Sequence, residues 1–230
     1  MTRIVNPDFE PLILSVETAT LAGSVALARG EQVLAASTND AGISHSNRLL
    51  NDIDVLLSGA HVALPDIDLF AVATGPGSFT GLRIGIATVK ALAETLDRPC
   101  AGIPTLEAVA LAAGESERSV ALLPAGRGEV FAQLFSVTHD GLVTALDNAT
   151  HISPQILLEK YGSLEDVVWC GDGAIAHSAL LTNGRVAEPV QNLATHVASL
   201  ALKRFREGQI QAPDALQAVY VRPSDAELKV

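Results

Sequence analysis

The sequence predicts a soluble α/β protein of two lobes, each a mixed sheet flanked by helices. Three observations carry this. Apolar runs of strand length alternate with longer segments of helical periodicity. The order strand, strand, strand, helix, strand, helix, strand, helix sets an antiparallel meander before α/β crossovers. After Gly114-Glu115-Ser116-Glu117 a second meander begins, so a first lobe over 1–113 and a second over 114–230 are expected. The segment 214–230 is expected to pack back on the first lobe.

In the first lobe, Leu12 to Thr18 reads as a buried strand, and Gly23 to Ala28 and Gln32 to Ser37 follow as strands around the turn Arg29-Gly30-Glu31. From His45 to Ala60 the period changes. Leu49, Ile53, Leu56 and Ala60 form one helical stripe, widened by Leu50 and Leu57, with Ser44 placed to cap it. Asp68 to Thr74 supplies a fourth strand. Leu82, Ile86, Val89, Ala93 and Leu96 mark a second helix over Thr80 to Asp97, stopped by Pro99. Cys100 to Ile103 and a helix over Thr105 to Ala113 complete the unit.

The second lobe has strand-like runs at Val120 to Leu123, Val130 to Val137, Leu142 to Leu146 and Val167 to Cys170. Helical patterns cover Pro154 to Tyr161, Ala174 to Leu181 and Leu193 to Phe205. No internal repeat is visible at the level of residue identity.

Composition narrows the function classes. No apolar run reaches the ~18 residues a membrane span requires. The stretch before Leu12 carries Asp8 and Glu10 and lacks an export signal. Cys100 and Cys170 form no disulfide framework or CxxC pair, and a reducing cytoplasm is the expected compartment. Net charge is −11 with a pI near 4.9. Counterion release from a polyanion calls for a basic surface, so nucleic acid is expected to be held by a partner.

The most informative stretch is Thr74-Gly75-Pro76-Gly77-Ser78-Phe79-Thr80-Gly81-Leu82-Arg83-Ile84-Gly85, a glycine-rich turn between a strand and a helix. Such a turn can cradle an anion with free N–H groups. It can equally lay Gly81 and Gly85, one helical turn apart, as a flat strip for close packing. The P-loop and dinucleotide fingerprints both fail, because Leu82-Arg83 follows the last turn glycine and the spacing is GxGxxxG.

Catalytic machinery is sparse. No two of the six histidines stand three or four residues apart, so no helical metal pair forms. Ser44, His45 and Ser46 lack a GxSxG elbow, which leaves a peptidase reading without a nucleophile. Glu17 at the end of the first strand and Asp172 between two glycines are the acidic candidates for a magnesium-bound nucleotide. Against that stand a backbone hydrogen bond for Glu17 and turn stabilisation for Asp172.

Taken together, Ile13-Leu14-Ser15-Val16-Glu17-Thr18-Ala19-Thr20, His45-Ser46-Asn47-Arg48-Leu49-Leu50, the run Gly75 to Gly85, and Tyr220-Val221-Arg222-Pro223-Ser224-Asp225-Ala226-Glu227 resemble the bacterial TsaB (YeaZ) family. The order and spacing match over nearly the whole chain. The resemblance implies the two-lobed sugar kinase/Hsc70/actin (RNase H-like) fold. It also implies a non-catalytic role in making threonylcarbamoyladenosine in tRNA, with this chain activating a TsaD-type transferase assisted by a TsaE-type P-loop ATPase. It implies no cofactor of the chain's own and confines ATP or ADP with magnesium to the assembled complex. It places the pairing surface, and a homodimer in the partner's absence, on the two first-lobe helices. His45, Leu50, Ile53, Leu57, Gly81, Leu82, Arg83, Gly85 and Val89 are the expected contacts. Glu17 stands where the family carries Asp, and Pro124-Ala125-Gly126-Arg127 stands where it carries Asp-Ala-Arg. Both departures remove or displace carboxylates from the interlobe cleft, which weakens the alternative, an ATP-dependent phosphotransferase or ATPase, and leaves the scaffold reading intact.

Overall fold

The structure is a computed structural model that describes residues 9–39 and 45–221, with the side chains of 45–47 outside the description. It divides into two compact units, each assembled from separate stretches of chain. The first contains Met1–Thr74, Thr80–Ile103 and Asn192–Ala218; the second contains Gly75–Phe79, Pro104–Gln191 and Val219–Val230.

The first unit is built on five strands, β1 (Leu12–Glu17), β2 (Ser24–Arg29), β3 (Gln32–Thr38), β4 (Leu69–Gly75) and β5 (Cys100–Pro104), in the order β3-β2-β1-β4-β5. β1 lies at the centre, antiparallel to β2 with Leu14 opposite Leu27, and parallel to β4 with Leu14 beside Phe70. Every residue of β1 is buried. A strand covered on both faces reads as a continuous apolar run, and its sequence does so.

Helix α1 (His45–Gly59) lies over β2 and β3. The buried Asp52 on its inner side accepts a hydrogen bond from Asn39 Nδ2 (2.7 Å), just past β3, and pairs with Arg48 one turn earlier. Helix α2 (Phe79–Thr95) buries Gly81, Leu82, Gly85, Ile86, Val89 and Ala93.

The second unit contains β6 (Ser116–Gly126), β7 (Glu129–Val137), β8 (Val143–Ala145), β9 (Thr150–Ile152), β10 (Val167–Cys170) and β11 (Gly184–Val186), in the order β11-β10-β6-β7-β8, with β9 also on β7. β6 and β7 are antiparallel, whereas β10 and β11 run parallel to β6 and to each other. Both units therefore share one plan, a meander followed by parallel strands, as the sequence predicts. Helices α3 (Thr105–Ala112), α4 (Pro154–Tyr161) and α5 (Asp172–Ala176) belong here. The core joins Trp169, Tyr161, Leu122, Val130 and Leu157. Tyr161 and Trp169 meet in a T-shaped pair with centroids 6.4 Å apart, and Tyr161 donates its hydroxyl proton to Asp147 Oδ2 at 2.7 Å.

Two segments depart from the expected boundary at residue 113. α3 packs on β6 and β7 of the second unit. Helix α6 (Leu193–Arg206), expected in the second lobe, instead covers β1 and β2 of the first. Small polar groups fix it there. Ser15 Oγ, buried inside β1, donates to Ala194 O (2.8 Å), and Ser24 Oγ accepts from Ala194 N–H (3.0 Å). Asn192 caps the helix by accepting Thr195 N–H, while its amide donates to Ser37 O (2.9 Å) and Thr38 Oγ1.

The chain after α6 then straps β5. Cys100 and Gln211 exchange N–H···O bonds of 2.8 and 2.9 Å, Arg204 donates to Gly102 O, and Leu216 is 1% exposed beside Gly102. The segment expected to pack back at 214–230 thus begins earlier, at Asn192. Its described part returns to the second unit from Val219.

Candidate functional site

The glycine-rich turn opens with Gly75, whose φ of 117° is a conformation that side-chain-bearing residues avoid. A cis bond joins Gly75 to Pro76. The N–H of Gly75 donates to Thr105 Oγ1 at 3.1 Å, and at the far side of the turn Phe79 stacks on Tyr220 with centroids 5.2 Å apart. The first residue of the turn is thereby satisfied inside the fold.

The flat strip on α2 faces inward. Thr18, the residue after β1, donates its hydroxyl proton to Gly81 O at 2.8 Å. A Cβ added to Gly85 would overlap that same hydroxyl oxygen. Gly81 and Gly85 thus admit the end of β1, and the close neighbour inferred from their spacing is this chain's own Thr18.

This corrects most of the expected contact set. Ile53 and Leu57 are buried on the inner side of α1, and Gly81, Leu82, Gly85 and Val89 on the inner side of α2. Each has its own sheet or loop to pack on. Leu50, 64% exposed, and Arg83 remain on the outside. The His45 side chain lies outside the described residues.

The outer faces contain residues that the stripe analysis passed over. On α1, Val55 is 62% exposed and lies beside Asp54 and Ser58. On α2, Thr80, Ala87, Ala91 and Thr95 are exposed and Ile84 is half-buried. Their spacing puts them on one side of the helix. The exposed Arg83 and Glu94 border that side, and between them it presents short side chains with only one aliphatic larger than alanine. The signal was present as apolar residues lying off the inward stripe.

Glu17 is 1% exposed, and its carboxylate is turned onto its own loop. One oxygen accepts Thr20 N–H at 2.7 Å and the other accepts Thr20 Oγ1–H at 2.8 Å, while Thr20 Oγ1 accepts Gly23 N–H at 3.3 Å. The carboxylate organises the β1–β2 turn. Asp172 opens α5 after Gly171, which turns the chain at φ 89° with no room for a side chain against Leu122 O. Partial burial raises the Asp172 carboxyl above its ordinary value, although the residue as a whole is exposed. Glu17 belongs to the first unit and Asp172 to the second. Among the described residues no group of three His, Cys, Asp or Glu side chains is placed to hold a metal ion. None of the helices there is long and apolar enough to cross a membrane.

Two α/β units of one meander-then-parallel plan define the class, a fold of the actin-like ATPase type. The activator of 2-hydroxyisocaproyl-CoA dehydratase from Clostridium difficile, solved with bound ADPNP, shares this fold at a TM-score of 0.51 and 12% identity, covering 91% of this chain and 99% of that one. The family model of TsaD, tRNA N6-adenosine threonylcarbamoyltransferase, matches residues 37–218. The chain belongs to the TsaB (YeaZ) family. It is 30% identical to the tRNA threonylcarbamoyladenosine biosynthesis protein TsaB of Escherichia coli K12, over 95% of this chain and 97% of that protein. It superposes on YeaZ from Pseudomonas aeruginosa with a TM-score of 0.80 at 26% identity, covering 91% and 99% of the two chains.

Proposed function

We propose that this chain is the subunit that binds and activates a TsaD-type threonylcarbamoyltransferase during formation of threonylcarbamoyladenosine in tRNA, and that it performs no transfer chemistry itself. The observation that carries this reading is the end-to-end likeness to a protein named for that biosynthesis. The burial of Glu17 in its own turn supports the non-catalytic part, because both carboxylate oxygens face Thr20 of the same loop and the side chain is almost wholly shielded from solvent.

The pairing surface we assign to the outer sides of α1 and α2. Leu50 and Val55 supply exposed apolar area, and the low side formed by Thr80, Ile84, Ala87 and Ala91 lets a partner helix approach closely. The same surface, self-complementary about a two-fold axis, serves a homodimer when the partner is absent. A TsaE-type ATPase is the further partner, with ATP or ADP and magnesium belonging to the assembly. The acidic charge leaves tRNA to the transferase. The reactions take place in the cytoplasm.

The test is threonylcarbamoyl transfer to unmodified tRNA by purified TsaD-type and TsaE-type partners with the adenylate-forming enzyme, with and without this chain. Modification only in its presence, from a protein inert alone, is the expected result. Equal modification in both reactions would overturn the reading. Steady ATP hydrolysis by the isolated chain would bring the ATPase alternative forward.

A further inference from the structure

Gly81 and Gly85 occupy successive inward positions on α2, and one hydroxyl group meets both, the backbone carbonyl of the first and the Cβ position of the second. Thr18 Oγ1 donates to Gly81 O at 2.8 Å and stands where a Cβ on Gly85 would be, while Thr18 Cβ and Cγ2 lie at ordinary contact distance, 3.4 and 3.5 Å, from that position. We infer that Thr18 is a positioning residue for the partner-binding side of α2, an inference that rests on the reading of that side given above.

The separation between β1 and the first turns of a helix is commonly set by side chains that can change rotamer. With glycine at both inward positions no such adjustment exists, and the threonine hydroxyl fixes the distance. Thr18 is itself held, because the neighbouring Glu17 carboxylate is bonded to both the N–H and the hydroxyl of Thr20. A second grip lies further along α2, where Lys90 Nζ donates to Asp214 O at 3.3 Å and Leu216 O at 3.1 Å. α2 is thus pinned at its beginning and its middle. Thr80, Ile84 and Ala87 stand on the outer side of the turns that Thr18 grips. Alanine has no rotamer and the β-branched Thr80 and Ile84 are stiff at χ1, so they have little freedom to absorb a displacement and a shift at Thr18 passes directly to the surface a partner meets.

Isothermal titration of the full chain against its cognate TsaD-type transferase tests this, using Thr18→Val, Thr18→Ser, Ala87→Arg and Ile13→Val. Valine keeps the shape of threonine but replaces the donor with a methyl group that needs more room. Thr18→Val is expected to bind about tenfold more weakly, as residues acting through others do. Thr18→Ser should bind like the parent, and so should Ile13→Val, a core change remote from α2's outer side that lowers the thermal midpoint. If Thr18→Val does not fold, Thr18→Ala removes the peg without added bulk and carries the same expectation. Full affinity in Thr18→Val, with Ala87→Arg abolishing association, would overturn the positioning role and leave the pairing surface standing. Serine as weak as valine, or Ile13→Val as weak as Thr18→Val, would also overturn it. Unchanged association in Ala87→Arg would remove the surface itself.

Discussion

Thr18 and Gly85 give the most direct test of how α2 is seated. Gly85→Ala alone should destabilise the fold by about 1–3 kcal/mol, the usual cost of overpacking a well-filled site, because the new methyl meets the threonine hydroxyl. Thr18→Ala in the same chain vacates that space. The double variant should therefore recover part of the loss, with a coupling of about 0.5–3 kcal/mol of compensating sign in urea denaturation. Additive losses would show that the contact does not limit α2. A substitution at Gly85 thus probes the interior, and bulk added there tests folding before it tests association. A second residue gives a pH signature. His196 on α6 has its pKa lowered by burial, so the unfolded chain takes up a proton at a higher pH than the folded one. Stability contributed by the neutral ring is present above the ordinary value near 6.5 and is lost as pH falls toward the lowered one. The thermal midpoint should drop on acidification through this window, and His196→Gln should flatten that drop.

At the scale of elements, sequence and structure agree best where a period is unbroken. β1, α1, β4 and α2 were legible because each has one buried face or a wholly buried run, and the meanders because turn residues bound strand-length runs, even where, as in β3, the strand itself is largely exposed. What could not be read was which inward residue faces which neighbour. Ile53 and Leu57 belonged to the stripe that made α1 predictable, and the same stripe is what its sheet buries. The outer side had a weaker signal, Leu50 at the widened edge of the stripe, Val55 off it, and small residues on α2 that resemble ordinary helix filler. Ala87→Arg should cut association with the partner severely while leaving the thermal midpoint nearly unchanged, since surface substitutions usually move stability by less than about 0.5 kcal/mol. Sedimentation and a melting scan on the same preparation would check both halves. The strap over β5 is a separate element. Leu216→Ala, opening a space beside Gly102 and Thr74, should cost about 2–5 kcal/mol in chemical denaturation.

At the scale of the molecule, neither unit is a continuous stretch of chain, and that was the feature least visible in the sequence. The boundary near 113 followed the restart of a meander, a local signal. The placement of α6 depends on Ser15 and Ser24, two small polar residues in apolar strands whose hydroxyls await Ala194 some 170 positions later; nothing local announces such a pairing. The consequence is testable by cutting. A fragment of residues 1–113 lacks α6 and the strap, so one side of β1 and β2 loses its cover, and Ser15 Oγ loses its bond to Ala194 O. Leaving several buried apolar side chains and a buried hydroxyl in water removes more than the net stability of about 5–15 kcal/mol that a domain commonly has. That fragment should show no cooperative thermal transition. Residues 1–103 joined by a flexible linker to 192–218 restore the cover and should melt cooperatively. A cooperative transition in the 1–113 fragment alone would mean that α6 decorates a first unit already stable without it.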